Sequence, residues 1–77
     1  DFWQEYVKVS PNPSNEYISI KAVFDIKKVE LYNTSGIRVN RYIGNLIDVK
    51  NQPPGWYFLI IYGENFETVV RPIIILR

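Results

Sequence analysis

The carboxylates Glu30, Asp48 and Glu67 offer the most reactive chemistry in this sequence. Two carboxylates can hydrolyse a glycosidic bond when one acts as acid and the other as base or nucleophile. These three fall on separate predicted strands, at positions expected to face solvent. A chain of 77 residues is also small for a catalytic cleft. We therefore expect a protein that is not an enzyme.

The sequence contains no histidine and no cysteine. Histidine general bases, thiolate nucleophiles and the usual zinc ligands are therefore excluded. The net charge is +1, and basic residues are interspersed with acidic ones, as Arg71 is with Glu67. Nucleic-acid binding requires a dense basic stripe, which this sequence lacks. We expect no cofactor, no metal, no nucleic acid and no small-molecule substrate.

Aromatic side chains offer a binding chemistry instead. Trp3, Tyr42, Trp56 and Tyr62 would stack against sugar rings if they were coplanar, exposed and flanked by polar donors. A protein-docking face would instead place aliphatic side chains beside the aromatic ones, and the sequence favours that arrangement. A carbohydrate- or protein-binding β-sandwich attached to a secreted enzyme is the alternative hypothesis.

Short turn motifs separate runs of β-branched and aromatic residues. Proline fixes φ and glycine permits positive φ, so both interrupt a strand. No segment has helical periodicity, and seven alternating segments are bounded by turn residues. We predict an all-β fold, a small antiparallel Ig-like, Greek-key β-sandwich of about seven strands. The predicted strands are residues 6–9, 17–21, 26–32, 37–42, 46–49, 56–62 and 66–76.

The turn residues have predicted structural roles. The motif Pro11-Asn12-Pro13 is expected to form a rigid loop that ends an edge strand. Asn33 and Gly36 stand first and last in a predicted type I turn. Gly55 is expected to give a tight strand entry that points Tyr57 inward.

The 77 residues predict one domain. It is near the lower size limit for a self-sufficient core, since a chain of this length buries only about 60% of its unfolded surface. No disulfide can form, so apolar packing must stabilise it. We predict a lead-in from an upstream domain over residues 1–6 and a single β-sandwich over residues 7–77. The absence of methionine predicts that Asp1 is not where translation began and that the chain is part of a longer precursor. No signal peptide and no bilayer-spanning apolar run is present in the 77 residues.

The last two predicted strands are apolar on both faces, which is unusual for an antiparallel strand with one solvated side. Arg71 and Arg77 share parity with Ile73 and Ile75, so we expect this face to point outward. Large exposed apolar patches mark interaction sites. The predicted patch consists of Trp56, Phe58, Ile60, Ile73 and Ile75. We expect it to bind a partner protein or to pair two copies of this chain.

Several motifs in order resemble the C-terminal sorting domain, type A, of the type IX (Por) secretion system. They are a proline–asparagine–proline start, an asparagine-x-x-glycine turn, a glycine-x-tyrosine strand entry and an apolar tail that ends at a basic residue. The resemblance covers nearly the whole chain, from Val7 to Arg77. The matching segments are Pro11-Asn12-Pro13, residues 33–39, Ile47-Asp48-Val49, Gly55-Trp56-Tyr57 and residues 71–77.

This resemblance implies a secretion signal that directs a cargo protein across the outer membrane of Bacteroidetes-type bacteria. The implied partners are outer-membrane translocon components and a sortase-like peptidase. The implied location is the periplasm in transit, then the outer membrane, the cell surface or the medium. The family's extreme C-terminus resembles a recognition element, which implies a docking role for the tail, including Leu76 and Arg77.

Overall fold

A computed structural model of the chain describes residues 6–13 and 16–76. The described residues form seven antiparallel strands and contain no α-helix, which confirms the predicted fold class. None of the described segments is a helix that could span a membrane. The strands are β1 (Val7–Ser10), β2 (Tyr17–Ala22), β3 (Ile26–Asn33), β4 (Arg38–Tyr42), β5 (Leu46–Asp48), β6 (Gly55–Gly63) and β7 (Thr68–Ile75).

The strands form two sheets that pack face to face. One sheet has the order β1-β2-β5 and the other has the order β4-β3-β6-β7. The chain changes sheet between β2 and β3, between β4 and β5, and between β5 and β6. Strand β7 and strand β4 are therefore the edges of the larger sheet, with the β6–β7 hairpin at one side.

The core fills the space between the sheets with side chains from alternate strand positions, as period-2 alternation requires. Burial of these apolar side chains is the main stabilising term in a domain without disulfides. The fully or nearly fully buried residues are Val7, Ile18, Ile20, Val29, Leu31, Ile47, Val49, Tyr57, Leu59, Ile61, Val69, Ile73 and Ile75.

The predicted turn between β3 and β4 is confirmed in detail. Gly36 N donates to the Asn33 carbonyl oxygen at 3.0 Å, which closes a β-turn. The Asn33 side chain accepts from Ser35 N at 3.0 Å and from Ile37 N at 3.1 Å. Gly36 has a φ of 78°, a left-handed value that glycine adopts without a side-chain penalty.

The entry of β6 also follows the prediction. Gly55 has a positive φ of 142°. Tyr57 then points into the core, and its hydroxyl donates to the Pro53 carbonyl oxygen at 2.6 Å. Since side chains alternate along a strand, an inward Tyr57 places Trp56 and Phe58 on the outer face of the sheet.

Candidate partner-binding surface

The outer face of the β6–β7 hairpin carries three rows of paired apolar side chains. Trp56 lies opposite Ile74, Phe58 lies opposite Pro72, and Ile60 lies opposite Val70. Residues directly opposite each other in an antiparallel pair have their side chains in contact range on the same face. We call these residues the outer ladder: Trp56, Phe58, Ile60, Val70, Pro72 and Ile74.

The outer ladder is substantially open to solvent. Trp56 is 56% exposed, Val70 43% and Phe58 40%. Leu76 follows strand β7 and is 53% exposed. Apolar side chains that are contiguous across two strands differ from singly scattered ones, because together they form a patch suited to another apolar surface.

The prediction that Ile73 and Ile75 point outward is wrong. Both are completely buried, and Ile73 lies opposite the inward-pointing Tyr57. The outward residues of β7 are Val70, Pro72 and Ile74 instead. The exposed patch therefore still includes Trp56, Phe58 and Ile60 of β6. Its β7 residues lie on the face opposite to Ile73 and Ile75.

Arg71 is the physical reason for that error. It lies opposite the buried Leu59 and therefore begins on the inner face of its sheet. Strand β7 is an edge, so the long arginine stem can leave the core sideways while its charged end remains accessible. The Arg71 Nη2 atom donates to the Val7 carbonyl oxygen on β1 at 2.9 Å. A charged residue at an edge strand thus does not mark the outer face.

The Pro11-Asn12-Pro13 motif contacts the free edge of β7. The Asn12 Oδ1 atom accepts from Ile74 N at 3.0 Å, and Asn12 Nδ2 donates to the Pro72 carbonyl oxygen at 3.3 Å. An amide side chain here takes the place of a strand residue. Unpaired edges invite pairing with other chains, and such a cap reduces that tendency.

Pro72 fits this edge without breaking a ladder. Its carbonyl oxygen points toward Asn12 and away from β6. The backbone nitrogen and carbonyl of one strand residue face the same side, so the missing N–H of Pro72 also faces away from β6. Proline within a sheet is confined to such edge positions.

Glu30 lies beside the outer ladder and is only 4% exposed, although it points to the outer face opposite Ile60. Its Oε2 atom accepts from Arg38 Nη1 at 2.9 Å, and Lys28 Nζ lies 3.7 Å away. Its Oε1 atom accepts from the hydroxyls of Tyr32 and Tyr62 at 3.0 and 3.1 Å. These four side chains cover the carboxylate, so the expectation that Glu30 faces solvent is wrong.

Burial alone would raise the pKa of Glu30. The hydrogen bond from Arg38, those from Tyr32 and Tyr62, and the charge of Lys28 together outweigh burial and hold the pKa below its ordinary value. The ammonium of Lys28 also lies 4.8 Å from the centre of the Tyr62 ring. The outer ladder is therefore bordered on its β3 side by an ordered network of charged and phenolic groups.

The remaining carboxylates do not form a catalytic pair with Glu30. Glu67 is 6% exposed, against expectation: its side chain lies against Gly63, and its Oε1 accepts from Asn65 N at 2.9 Å within the β6–β7 turn. Asp48 is exposed, as predicted, and lies opposite Tyr17 in the other sheet. Within residues 6–13 and 16–76, no group of three or more acidic side chains is arranged to hold a metal ion.

Of the four aromatic residues considered for a sugar platform, the three that the structure describes do not form one. Trp56 and Tyr62 share the outer face but are six residues apart on β6, a separation of about 20 Å. Tyr42 lies opposite the buried Val29, packs against the core and donates its hydroxyl to the Asp48 carbonyl oxygen at 2.8 Å. Trp3 lies outside the described residues, as does Arg77.

Sequence reasoning missed Val70, Pro72 and Ile74 as members of the exposed face. The predicted inward orientation of Tyr57 contained the signal, because it places Trp56 outward. The hairpin register is then needed to identify Ile74 as its partner. That register depends on the conformation of residues 63–67, which is not evident from residue types.

Comparison with known proteins gives one family. The family model described as "Secretion system C-terminal sorting domain" matches residues 8–76. No curated protein and no solved structure matches significantly. The match includes all seven strands apart from Val7.

Proposed function

Because this chain belongs to the family of secretion system C-terminal sorting domains, and so is a sorting signal for type IX secretion, we propose that its outer ladder is the surface by which the secretion machinery holds it. The observation that supports this is the exposure of Trp56 and Phe58 opposite apolar residues of β7. Aromatic residues at the centre of an interface commonly carry a large share of the binding energy.

Membership of the family suggests which components of the machinery bind the domain. We propose that outer-membrane translocon components of a Bacteroidetes-type bacterium bind the folded domain in the periplasm and that a sortase-like peptidase separates it from its cargo. The cargo then reaches the outer membrane, the cell surface or the medium. Residues 1–6 serve in this proposal as the lead-in from the cargo. The domain itself contributes binding and no catalysis.

The terminal strand contributes in two ways. Ile73 and Ile75 anchor β7 in the core, while Ile74 and Leu76 present apolar surface outward. We propose that recognition continues from the outer ladder through Leu76 to Arg77. The buried isoleucines then act by fixing the strand rather than by touching the partner.

A heterologous partner is favoured over a second copy of this chain. A standard protein–protein interface uses about 20–30 residues on each side. The outer ladder has six residues, so residues around it must complete the contact on this domain's side with either kind of partner. The secretion machinery is the expected partner because the chain belongs to a family of sorting signals. Analytical ultracentrifugation of residues 1–77 tests this point, and a monomer at micromolar concentration is the expected result.

The function is tested by fusing residues 1–77 to a periplasmic reporter in a host with an active type IX system. We expect the reporter at the cell surface. Trp56→Ser should leave the fold intact and leave more of the reporter in the periplasm, because it removes the largest exposed side chain of the outer ladder. A reporter that stays periplasmic with the unmodified domain, together with binding to polysaccharide, would favour the carbohydrate-binding alternative.

A further inference from the structure

Two turns in this domain are closed by the same type of backbone hydrogen bond and have a left-handed residue at the same position, but that residue differs. In the β3–β4 turn, Asn33 N donates to the Ile37 carbonyl oxygen at 3.0 Å. In the β6–β7 turn, Gly63 N donates to the Glu67 carbonyl oxygen at 2.8 Å. Gly36 occupies the left-handed position of the first turn with a φ of 78°, and Phe66 occupies that of the second with a φ of 69°.

Phe66 is an unfavourable choice for this position. A bulky residue with positive φ is an outlier, because its Cβ crowds the backbone, whereas glycine accepts this conformation freely. The ring gains no compensating burial, since Phe66 is 97% exposed. Glycine would suit the fold of the isolated domain better, so the fold itself gives no reason for an aromatic side chain at this position. Backbone outliers of this kind are often found at functional sites.

The turn holds Phe66 in a defined place. Glu64 N donates to the Asp25 carbonyl oxygen at 2.9 Å, which joins this turn to the loop between β2 and β3. The Glu67 carboxylate accepts from Asn65 N inside the turn. An exposed aromatic ring on an ordered turn loses little conformational freedom when it binds, and this favours its use as an anchor.

The surroundings define the kind of partner. Two other strongly exposed apolar residues lie on loops at the same end of the sandwich, Val23 at 70% and Ile43 at 76%. The exposed charged residues of the two joined loops, 23–25 and 63–67, are both acidic: Asp25 and Glu64. Acidic groups repel an anionic lipid surface and complement basic groups on a protein.

We propose that Phe66 is a second recognition anchor, whose ring enters an apolar pocket bordered by lysine or arginine on a protein of the secretion machinery. This inference rests on the proposed sorting function. Phe66 follows β6 at the end opposite to Trp56, so the anchor is separate from the outer ladder. The two contacts together would fix the orientation of the domain, because they lie at opposite ends of β6.

The test exploits opposite effects on stability and on delivery. Phe66→Gly should raise the midpoint of thermal unfolding, because glycine relieves the left-handed conformation. In the reporter fusion the same variant should lower surface delivery at least tenfold. Phe66→Trp should retain delivery, since an aromatic ring remains. Gly36→Phe is the reciprocal control: it should lower the unfolding midpoint and, at a temperature where it stays folded, leave delivery unchanged.

Each outcome is decisive. Normal delivery by Phe66→Gly overturns the anchor, and so does a lower unfolding midpoint for that variant. Failure of the unmodified fusion to reach the surface overturns the sorting function and this inference with it. Co-sedimentation with phosphatidylglycerol or phosphatidylcholine vesicles supplies the last arm. If the domain bound either type of vesicle and this binding required Phe66, the partner of the ring would be a membrane. That result would contradict a pocket on a protein.

Discussion

Arg71 joins the two sheets by donating from Nη2 to the Val7 carbonyl oxygen at 2.9 Å, across 64 residues of sequence. The opposite side of the sandwich has a similar link, because the Tyr42 hydroxyl donates to the Asp48 carbonyl oxygen at 2.8 Å. Each link runs from a side chain of the four-stranded sheet to a backbone oxygen of the three-stranded sheet. The sandwich is thus closed at both flanks by polar contacts.

Loss of the Arg71 contact should destabilise the domain. Arg71→Met keeps much of the aliphatic part of the side chain but removes the charged group that donates to the Val7 carbonyl oxygen. A hydrogen bond that involves a charged group contributes about 1.5–3 kcal/mol, so we expect a loss of that order in the free energy of unfolding. Urea denaturation followed by circular dichroism measures it. Arg41→Met, at an exposed position on β4, is the matched control, and an equal effect of both variants would contradict the role of Arg71.

Asn12 should act both on stability and on association. Asn12→Ala removes two hydrogen bonds to the β7 edge, at Pro72 and Ile74. We expect a loss of about 1–2 kcal/mol in unfolding free energy, based on about 1 kcal/mol for each bond. Sedimentation velocity should also show more self-association, because a sheet edge is uncovered. The exposed Asn51 provides the control Asn51→Ala, which should change neither quantity.

Residues on opposite faces of the last hairpin should respond differently to charge. Ile73→Asp places a carboxylate in the fully buried core and should unfold the domain, since the cost exceeds its small stability margin. Phe58→Lys places a charge on the outer face, and the circular dichroism spectrum should stay unchanged. A folded Ile73→Asp protein would contradict the assignment of β7 faces.

Glu30 should make the domain sensitive to acid. The fold lowers the pKa of this carboxyl below its ordinary value of 4.5. Its stabilising contribution is therefore complete above that ordinary value and is lost as the pH falls through the lower value of the folded state. The unfolding free energy should decrease on acidification below about pH 4.5.

The variant Glu30→Gln isolates this effect. It should be less stable at neutral pH by about 1–3 kcal/mol, because Arg38 and both tyrosines lose a charged acceptor. It should also lose part of the acid-dependent decrease. Urea denaturation from pH 7 to pH 3 measures both changes, and Glu64→Gln corrects for the change in net charge. If the unfolding free energy of Glu30→Gln and that of the unmodified protein had the same dependence on pH, the stabilising role of the hydrogen bonds to Glu30 would be contradicted.

The sequence was sufficient for those features that depend on local chemistry. Glycine is favoured where a turn needs a positive φ, and an asparagine side chain can accept hydrogen bonds from the backbone of its own turn. Gly36 and Asn33 were therefore enough to predict the hairpin. Alternating apolar residues likewise predicted strands close to the observed bounds of β2, β3 and β6. Local rules of this kind do not need knowledge of the tertiary structure.

The faces of β7 could not be assigned in the same way. Apolar residues occupy both faces, so alternation gives no direction, and the charge of Arg71 suggested the wrong one. The actual direction is determined by the location of β7 at an edge, where Arg71 reaches Val7 from the inner face. The burial of Glu30 depends similarly on Arg38, on the neighbouring strand β4, and on Tyr62, which is 32 residues away in sequence. Both features follow from tertiary contacts.

The most direct test of the central claim is the fraction of a reporter, fused to residues 1–77, that reaches the cell surface. Phe58→Lys on the outer ladder is compared with Leu46→Lys, which changes an exposed apolar residue opposite Ser19 in the other sheet. We predict that Phe58→Lys lowers surface delivery at least tenfold while Leu46→Lys delivers like the unmodified domain. Equal delivery by the two folded variants would contradict recognition through the outer ladder.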